Sequence, residues 1–278
     1  MPHYCIKNAP YLNLHAFNKQ YFTRMKARIF IATFLFALVA NIVQVKAVRP
    51  FITDDARVVG FRLAQWETWL RLDLHAQQQW HMFAYGPNRR LELTAGTVMG
   101  FDKSKPELGR TFSYAIPLLQ GKYLFRPYSN GDWPGVALVA GTFLPGGRGA
   151  FVPPGYGAFS FLIFSQCFGT EENVLVHLNV GQNYLFMNRQ NVWLTTWGFG
   201  TQVKAYKGFH VVAELFSGDP YIPGTGLAYQ VGFRHFVNEY FQFDATIGEG
   251  LRGNVALPFW GSVGVRVVTT AFTKRKGR

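Results

Sequence analysis

From Gly226 to Val268 the chain alternates apolar and polar residues with a period of two. Leu227, Tyr229, Val231 and Phe233 alternate with Ala228, Gln230, Gly232 and Arg234. Phe241, Phe243, Ala245 and Ile247 alternate with Gln242, Asp244, Thr246 and Gly248. Phe259, Val263, Val265 and Val267 alternate with Trp260, Ser262, Gly264 and Arg266. A period of two puts each set on its own face of a sheet. One face is apolar and aromatic; the other carries charge, amide and glycine. A soluble sandwich would pack the apolar face on a second sheet, whereas a transmembrane barrel turns it to lipid and its polar face to the lumen.

The pattern recurs upstream. A first strand over 64–75 sets Trp66, Thr68, Leu70, Leu72 and Leu74 against Glu67, Arg71, Asp73 and His75, with Trp69 an aromatic on the inner face. A weaker strand covers 78–85, and Gly86-Pro87-Asn88 makes a turn. A third, 90–101, sets Leu91, Leu93, Ala95, Thr97 and Met99 against Arg90, Glu92, Thr94 and Gly96. The fourth, 111–126, changes phase near Pro117: Phe112, Tyr114, Ile116 and Leu118 are followed by Leu119, Tyr123 and Phe125. A bulge accounts for such a slip and tolerates the proline. Strands over 135–145 and 156–169 are almost uniformly apolar or glycine-rich, and their faces stay open. The next, 173–186, puts His177, Asn179, Gly181 and Asn183 inward. That over 191–206 sets Trp193, Trp197, Phe199 and Val203 against Thr196, Gly198, Gly200, Gln202 and Lys204. The ninth, 209–216, sets Phe209, Val211, Ala213 and Leu215 against His210 and Glu214.

With the last three, this makes about twelve strands, an even number as in bacterial single-chain barrels. The connections sort by parity. Those after even strands are short, 127–134 excepted; those after odd strands are mostly longer. Barrels of this class begin and end in the periplasm, with short turns there and longer loops outside. The expected fold is therefore all-β: a transmembrane up-and-down antiparallel β-barrel of about twelve strands.

The N-terminus agrees with that compartment. Residues 1–47 contain no Asp or Glu. Met25-Lys26-Ala27-Arg28 is a basic start, Ile29 to Ala40 an apolar core too short to span a bilayer, and Val45-Lys46-Ala47 a signal-peptidase site. The reading is an N-terminal extension plus signal peptide cut after Ala47, with translation starting at Met1 or Met25. The barrel then occupies 48–272, and a basic tail follows over 273–278. Within the barrel, the stretch from Arg49 to Ala56 alternates poorly. It reads as a lead-in, on the periplasmic side or tucked into the lumen, with Asp54 and Asp55 as turn or cap elements.

Charge and composition refine this. The net charge of +13 comes from 28 Lys and Arg against 15 Asp and Glu. Lys7, Lys19, Arg24, Lys26, Arg28 and Lys46 lie in the leader, and Lys274, Arg275, Lys276 and Arg278 in the tail. Setting those ten aside leaves +3, so the basic character belongs to the ends and gives no nucleic-acid surface. Cys167 is alone once Cys5 leaves with the leader, so neither a disulfide nor a zinc spacing is expected. Aromatics make up 17% and charged residues 15% of the chain, against roughly 25% charged in soluble domains.

Several stretches resemble the family called MetA-pathway of phenol degradation, outer-membrane barrels. They are Arg49-Pro50-Phe51-Ile52-Thr53-Asp54-Asp55-Ala56, Gln65-Trp66-Glu67, Leu91-Glu92-Leu93, Gln120-Gly121-Lys122-Tyr123, Leu144-Pro145-Gly146-Gly147, and Tyr240 to Gly250 with Asp244. The resemblance implies passage of small aromatic or other hydrophobic compounds and carries over no catalytic residue. It also implies handling by the barrel-assembly machinery. Such barrels usually end on an aromatic, whereas here Phe272 is followed by Thr273 to Arg278.

No nucleophile elbow, zinc motif, phosphate loop or dinucleotide fingerprint is present, so no catalytic, cofactor or metal residue is assigned. His75, His81, His177, His210 and His235 are scattered over different strands. The lumen-lining candidates are Glu67, Arg71, Asp73, Glu92, Lys122, Lys204, Glu214, Arg234, Asp244 and Arg266. Mixed signs suit either a polar path for solute or a self-paired network filling the interior. Asp244 is expected between Arg234 and Arg266, with Arg266 turned towards Glu67, Arg71 or Asp73 across the closing seam. The leading expectation is a non-enzymatic channel in the bacterial outer membrane for small hydrophobic or aromatic solutes, its partners being membrane lipid and solute. A plugged structural or interaction barrel is the alternative. A rim lipid hydrolase, using His177 or His210 with a nearby Ser, is third.

Overall fold

The computed structural model describes residues 52–104, 109–128, 133–169, 173–187, 189–217, 226–252 and 257–271. The leader, the cleavage site after Ala47, Phe272 and the basic tail lie outside them. The described residues form thirteen strands and no helix. They are β1 (Leu63–Asp73), β2 (Ala76–Tyr85), β3 (Leu91–Asp102), β4 (Thr111–Arg126), β5 (Gly135–Phe143), β6 (Gly147–Arg148), β7 (Tyr156–Phe168), β8 (Val174–Met187), β9 (Gln190–Tyr206), β10 (Phe209–Ser217), β11 (Leu227–Phe236), β12 (Phe241–Arg252) and β13 (Trp260–Thr270). Twelve are staves; β6 is a two-residue piece on β4.

Each stave pairs antiparallel with its neighbours, and β1 closes on β13 from Leu63↔Thr270 to Asp73↔Trp260. The result is a closed twelve-stranded antiparallel barrel. Closure satisfies every stave on both sides, which is what lets strands stand in hydrocarbon. The end holding Leu63 and Thr270 is called the closing end below, and the opposite one the far end. The longest connection, 144–155, lies at the far end, but so do two-residue links at 74–75 and 188–189. Sorting of loops by parity is thus looser than the sequence suggests.

The alternation sets the faces as expected. Trp66, Leu72, Leu178, Val180, Trp193, Phe199, Val211, Val231, Phe243, Ile247 and Val263 are all exposed on the outside. The opposite residues on the same strands are buried in the interior. The phase change on β4 falls one residue earlier than expected. Leu118 is 0% exposed and faces in, while Ile116 and Leu119 face out. The register explains this: Gly96 pairs with Leu118 but Val98 pairs with Ala115, so β4 carries the extra residue of a bulge at Ile116-Pro117. Beyond it β5 leaves β4 at Phe143, two residues short of the expected end, and the pairing resumes as β6 on Tyr114 and Ala115. Gly147 makes the resumption possible. Its φ is +129°, and a Cβ there would stand 2.2 Å from the Tyr114 carbonyl oxygen.

The two strands whose faces stayed open resolve as well. β5 turns Ala137, Val139 and Phe143 inward, and β7 turns Phe159, Phe161, Ile163, Ser165 and Cys167 inward. With Leu118 and Leu185 these build an apolar sector of inner wall.

The outward face sets an expectation. Val231→Arg, halfway along β11, should cost about 2–4 kcal/mol, and Tyr206→Arg, at the closing end of β9, about 0–1 kcal/mol. Urea midpoints of protein folded into lipid vesicles measure both. Equal losses would mean that the outer face is not graded by depth in hydrocarbon.

Candidate functional site

The lead-in runs up inside the barrel. Its backbone there has no strand partner, yet buried N–H groups must find acceptors. Side chains of the wall provide them. Glu214 on β10 accepts from the Ile52 N–H (2.7 Å), the Thr53 N–H (2.9 Å) and the Thr53 hydroxyl (2.7 Å). Asn179 on β8, with its amide oriented to suit, accepts from the Asp54 N–H (2.8 Å) and donates to the Asp54 carbonyl (2.9 Å). Ser165 on β7 accepts from the Ala56 N–H at 2.9 Å. Glu92 on β3 accepts from the Val59 N–H at 2.7 Å.

Two further donors are handled within the segment. The Asp55 N–H bonds the Asp54 carboxylate (2.9 Å), and the Arg57 N–H bonds the Asp55 carboxylate (2.7 Å), the local turn chemistry expected of an Asp pair. Arg57 also folds its guanidinium onto Asp55. Asp54 does more than turn the chain. Its carboxylate meets the Lys122 ammonium at 2.6 and 2.7 Å, and Lys122 also reaches the carbonyls of Asp55 (3.4 Å) and Arg57 (3.2 Å). Glu92 stands 3.9 Å from the same ammonium.

Apolar contacts complete the seat. Ala56 packs in the apolar sector beside Leu118, Val139 and Ile163. Ile52 packs on Phe216, Leu257 and Trp260. Gly198 on β9 is the close approach: a Cβ there would lie 2.1 Å from the Thr53 methyl. About 20 Å³ remains between Ile52, Thr53 and the wall at Phe161, Thr196 and Phe216, room for roughly one water. At the far end, Phe151 and Val152 of the 144–155 connection fold onto Trp80, Val98 and Ala115, and the Ala150 N–H bonds the inward Ser113 hydroxyl at 2.9 Å.

The ten charged candidates therefore divide by role. Glu92, Lys122 and Glu214 converge on the lead-in. Arg71, Arg234, Asp244 and Arg266 are buried on the opposite wall, with Glu67 half-buried beside them. Arg234 stands across from Asp244 in register and donates to the Gln202 side-chain amide oxygen, Oε1, at 2.6 Å. Arg266 pairs in register with Gln242 on one side and Glu67 on the other, and its Nε donates to Gln65 at 2.9 Å. Asp244 thus faces Arg234 directly and Arg266 only diagonally, since Gly264 is its partner on β13. Arg71 lies over the Trp260 ring at 4.6 Å. Lys204 is half-buried at the closing end of β9, opposite His210. Asp73 departs from the set. Its carboxylate accepts the His75 and Ala76 N–H groups, each at 2.7 Å, and so caps the first turn.

The histidine–serine candidates also find places. His177 Nδ1 is 3.2 Å from the Ser165 hydroxyl, but both are buried beneath the lead-in, three residues in from the closing end of β8 and β7. His210 Nδ1 faces the Gly208 carbonyl at 3.2 Å. His81 and His235 stand on the outer face, stacked with Trp66 and beside Phe243 respectively. Ser165, Asn179 and Gly198 belong to the site although no sequence signal singles them out as a seat. Asn179 and Gly198 were legible only as inward-facing. No group of ligands fit for a metal ion occurs among the described residues.

An outer membrane channel from Pseudomonas putida F1 superposes with a TM-score of 0.60 at 10% identity, over 80% of this chain and all of that one. The KdgM porin, solved alone and in complex with disordered oligogalacturonate, superposes at 0.52 and 10% identity, over 73% of this chain and 98% of the other. The likeness is one of fold. It supports an outer-membrane type of barrel. No family model matches the chain, and no curated protein matches its sequence.

The seat predicts its own exchange behaviour. Glu214→Ala removes three bonds from the lead-in to a charged acceptor, each worth about 1.5–3 kcal/mol, along with the bond from the Gln230 side-chain amide. Hydrogen exchange at the Ile52 and Thr53 amides should then quicken roughly ten- to hundredfold. Glu92→Ala should act on Val59 and leave those two amides slow. Unchanged exchange in Glu214→Ala would show that Glu214 does not hold the segment.

Proposed function

We propose that this protein is a channel of the bacterial outer membrane for small solutes of hydrophobic or aromatic character. The lead-in is its constriction, the far end faces outside and the closing end faces the periplasm. One observation carries the reading: an apolar inner wall leads from the far mouth to the lead-in. It starts with Phe151 and Val152 against Trp80, which stacks on Trp69 at 5.5 Å. Beside it Phe143, Phe159 and Phe161 form a ladder with centroid spacings of 4.9 and 6.1 Å. An apolar solute is desolvated favourably along such a wall. The resemblance to the phenol-degradation family points the same way, and the fold of the neighbours supports a channel without bearing on its solute. Membrane lipid meets the outer face, and the barrel-assembly machinery inserts the chain.

The number of bonds on the lead-in favours a second reading, a permanently plugged structural or interaction barrel. Planar bilayers separate the two. Wild-type protein should give small current steps, and Glu214→Ala combined with Lys122→Ala should raise the step size severalfold. In cells, Phe159→Asp should lower uptake of a labelled aromatic solute threefold or more and leave the current steps in place. Silence from folded wild type and folded double variant would overturn the channel.

Orientation has its own test. In a cysteine-free background, Ala150→Cys should react with an impermeant maleimide on intact cells, and Lys207→Cys only after permeabilisation. Both positions are exposed, one at each end of the barrel. The reverse pattern would invert the assignment of the two ends.

A further inference from the structure

The outer face of β3, β4 and β6 carries a feature that neither the lumen nor the lead-in uses. Phe101 and Phe112 are cross-strand partners with rings edge to face at 5.7 Å, and Tyr114 follows at 6.4 Å from Phe112. These three and Ile116 are between 39% and 57% exposed, a continuous apolar band near the far end. Cations cap it. Lys103 and Arg110 follow β3 and begin the approach to β4, two residues beyond Phe101 and Phe112, so the period of two keeps them on the outer face. Arg148 on β6 stands opposite Tyr114 in register and shares its outward direction. Arg110 and Arg148 are exposed and Lys103 is half-buried.

Nothing described nearby neutralises them. Asp102 turns inward, its two carboxylate oxygens held by the Ser104 N–H (3.1 Å) and hydroxyl (2.9 Å). The connection itself adds Lys105 against Glu107 and stays net positive. Cations brought together at adjacent strand ends repel each other unless an anion lies between them. Arg148 sits four residues along β4 from Arg110, roughly 13 Å at strand rise, so the cations present two anchor points rather than one. A rigid headgroup with two phosphates fits that spacing, and acyl chains hanging from it would lie along Phe101, Phe112, Tyr114 and Ile116. Arginine and lysine suit phosphate oxygens, and their long stems let the charge sit above the apolar band.

We propose that this face is a binding site for a bisphosphorylated glycolipid of the outer leaflet. Lys103 and Arg110 hold one phosphate and Arg148 the other, with the acyl chains on the aromatic band. The lipid's presence at this end rests on the orientation proposed above; the binding itself does not.

Native mass spectrometry of detergent-solubilised, delipidated protein titrated with lipid A tests it. Wild type should retain one lipid per barrel. The triple variant Lys103→Gln, Arg110→Gln, Arg148→Gln should bind at least tenfold more weakly, as should wild type offered dephosphorylated lipid A. A control with Arg62→Gln, Arg126→Gln and Lys207→Gln, at the closing end, should bind like wild type. Heat-modifiable gel mobility shows whether each variant is folded. Equal binding by wild type and the folded triple variant would overturn the site, and so would indifference to the phosphates. Displacement by millimolar inorganic phosphate alone would overturn the lipid in favour of a free-phosphate site. Because binding in micelles is read without current or cell orientation, its failure is distinct from failure of the channel.

Discussion

A stretch of backbone inside a closed barrel must bond to side chains or leave its amides unsatisfied, because every stave is already paired on both edges. The interior of this protein is arranged around that constraint. From Ile52 to Val59 the lead-in offers a row of N–H donors, and the wall answers with carboxylates, an amide and a hydroxyl from β3, β7, β8 and β10. Four staves distant in sequence are thereby tied to one segment. Acceptors alone would concentrate negative charge, since Glu92, Glu214, Asp54 and Asp55 all point into one region. Lys122 and Arg57 offset it, the former buried and bonded to both carboxylate and carbonyl.

The charge arrangement also explains why the interior has two kinds of wall. Buried charge away from water is costly unless paired and bonded, so the polar groups gather where the lead-in or their own network can receive them. One network holds the lead-in. The other runs over β11, β12, β13 and β1, where Arg234, Asp244, Arg266 and Glu67 mix with Gln65 and Gln242, and reaches Gln202 on β9. On β4, β5, β7 and β8 an apolar cluster of aliphatic and aromatic side chains lies beside the groups of the same strands that bond the lead-in, Lys122, Ser165 and Asn179.

In the channel proposed above, function depends on how tightly the lead-in is held. Its bonds to charged acceptors are individually strong, yet each is a single side chain that moves without breaking a stave. A segment held by side chains opens at lower cost than one paired as a strand, because the barrel ladder is untouched. The far-end contacts of Phe151 and Val152 are apolar and belong to a connection, so the mouth is separable from the staves in the same sense.

Much of this was legible in the sequence. Strict alternation on β8 to β13 fixed which residues face lipid and which face in, since a one-residue slip would reverse every side chain. Glu214, Arg234, Asp244 and Arg266 were readable as inward for that reason, as was Glu92 from the alternation of β3 and Lys122 from that of β4 beyond its phase change. The bulge at Pro117 was readable as a change of phase, though Leu118 lay on the other side of it. What alternation could not supply was any face for β5 and β7, whose residues are apolar on both sides; only their pairing with β4 and β8 turns Phe159, Phe161 and Ser165 inward. Nor could it place the lead-in. That segment has no period, and its acceptors are spread from Glu92 to Glu214, more than a hundred residues apart, so their convergence exists only once the barrel closes. Local patterns along a chain encode which face a residue takes. Which residues meet across the interior depends on strand order and register, and those belong to the tertiary structure alone.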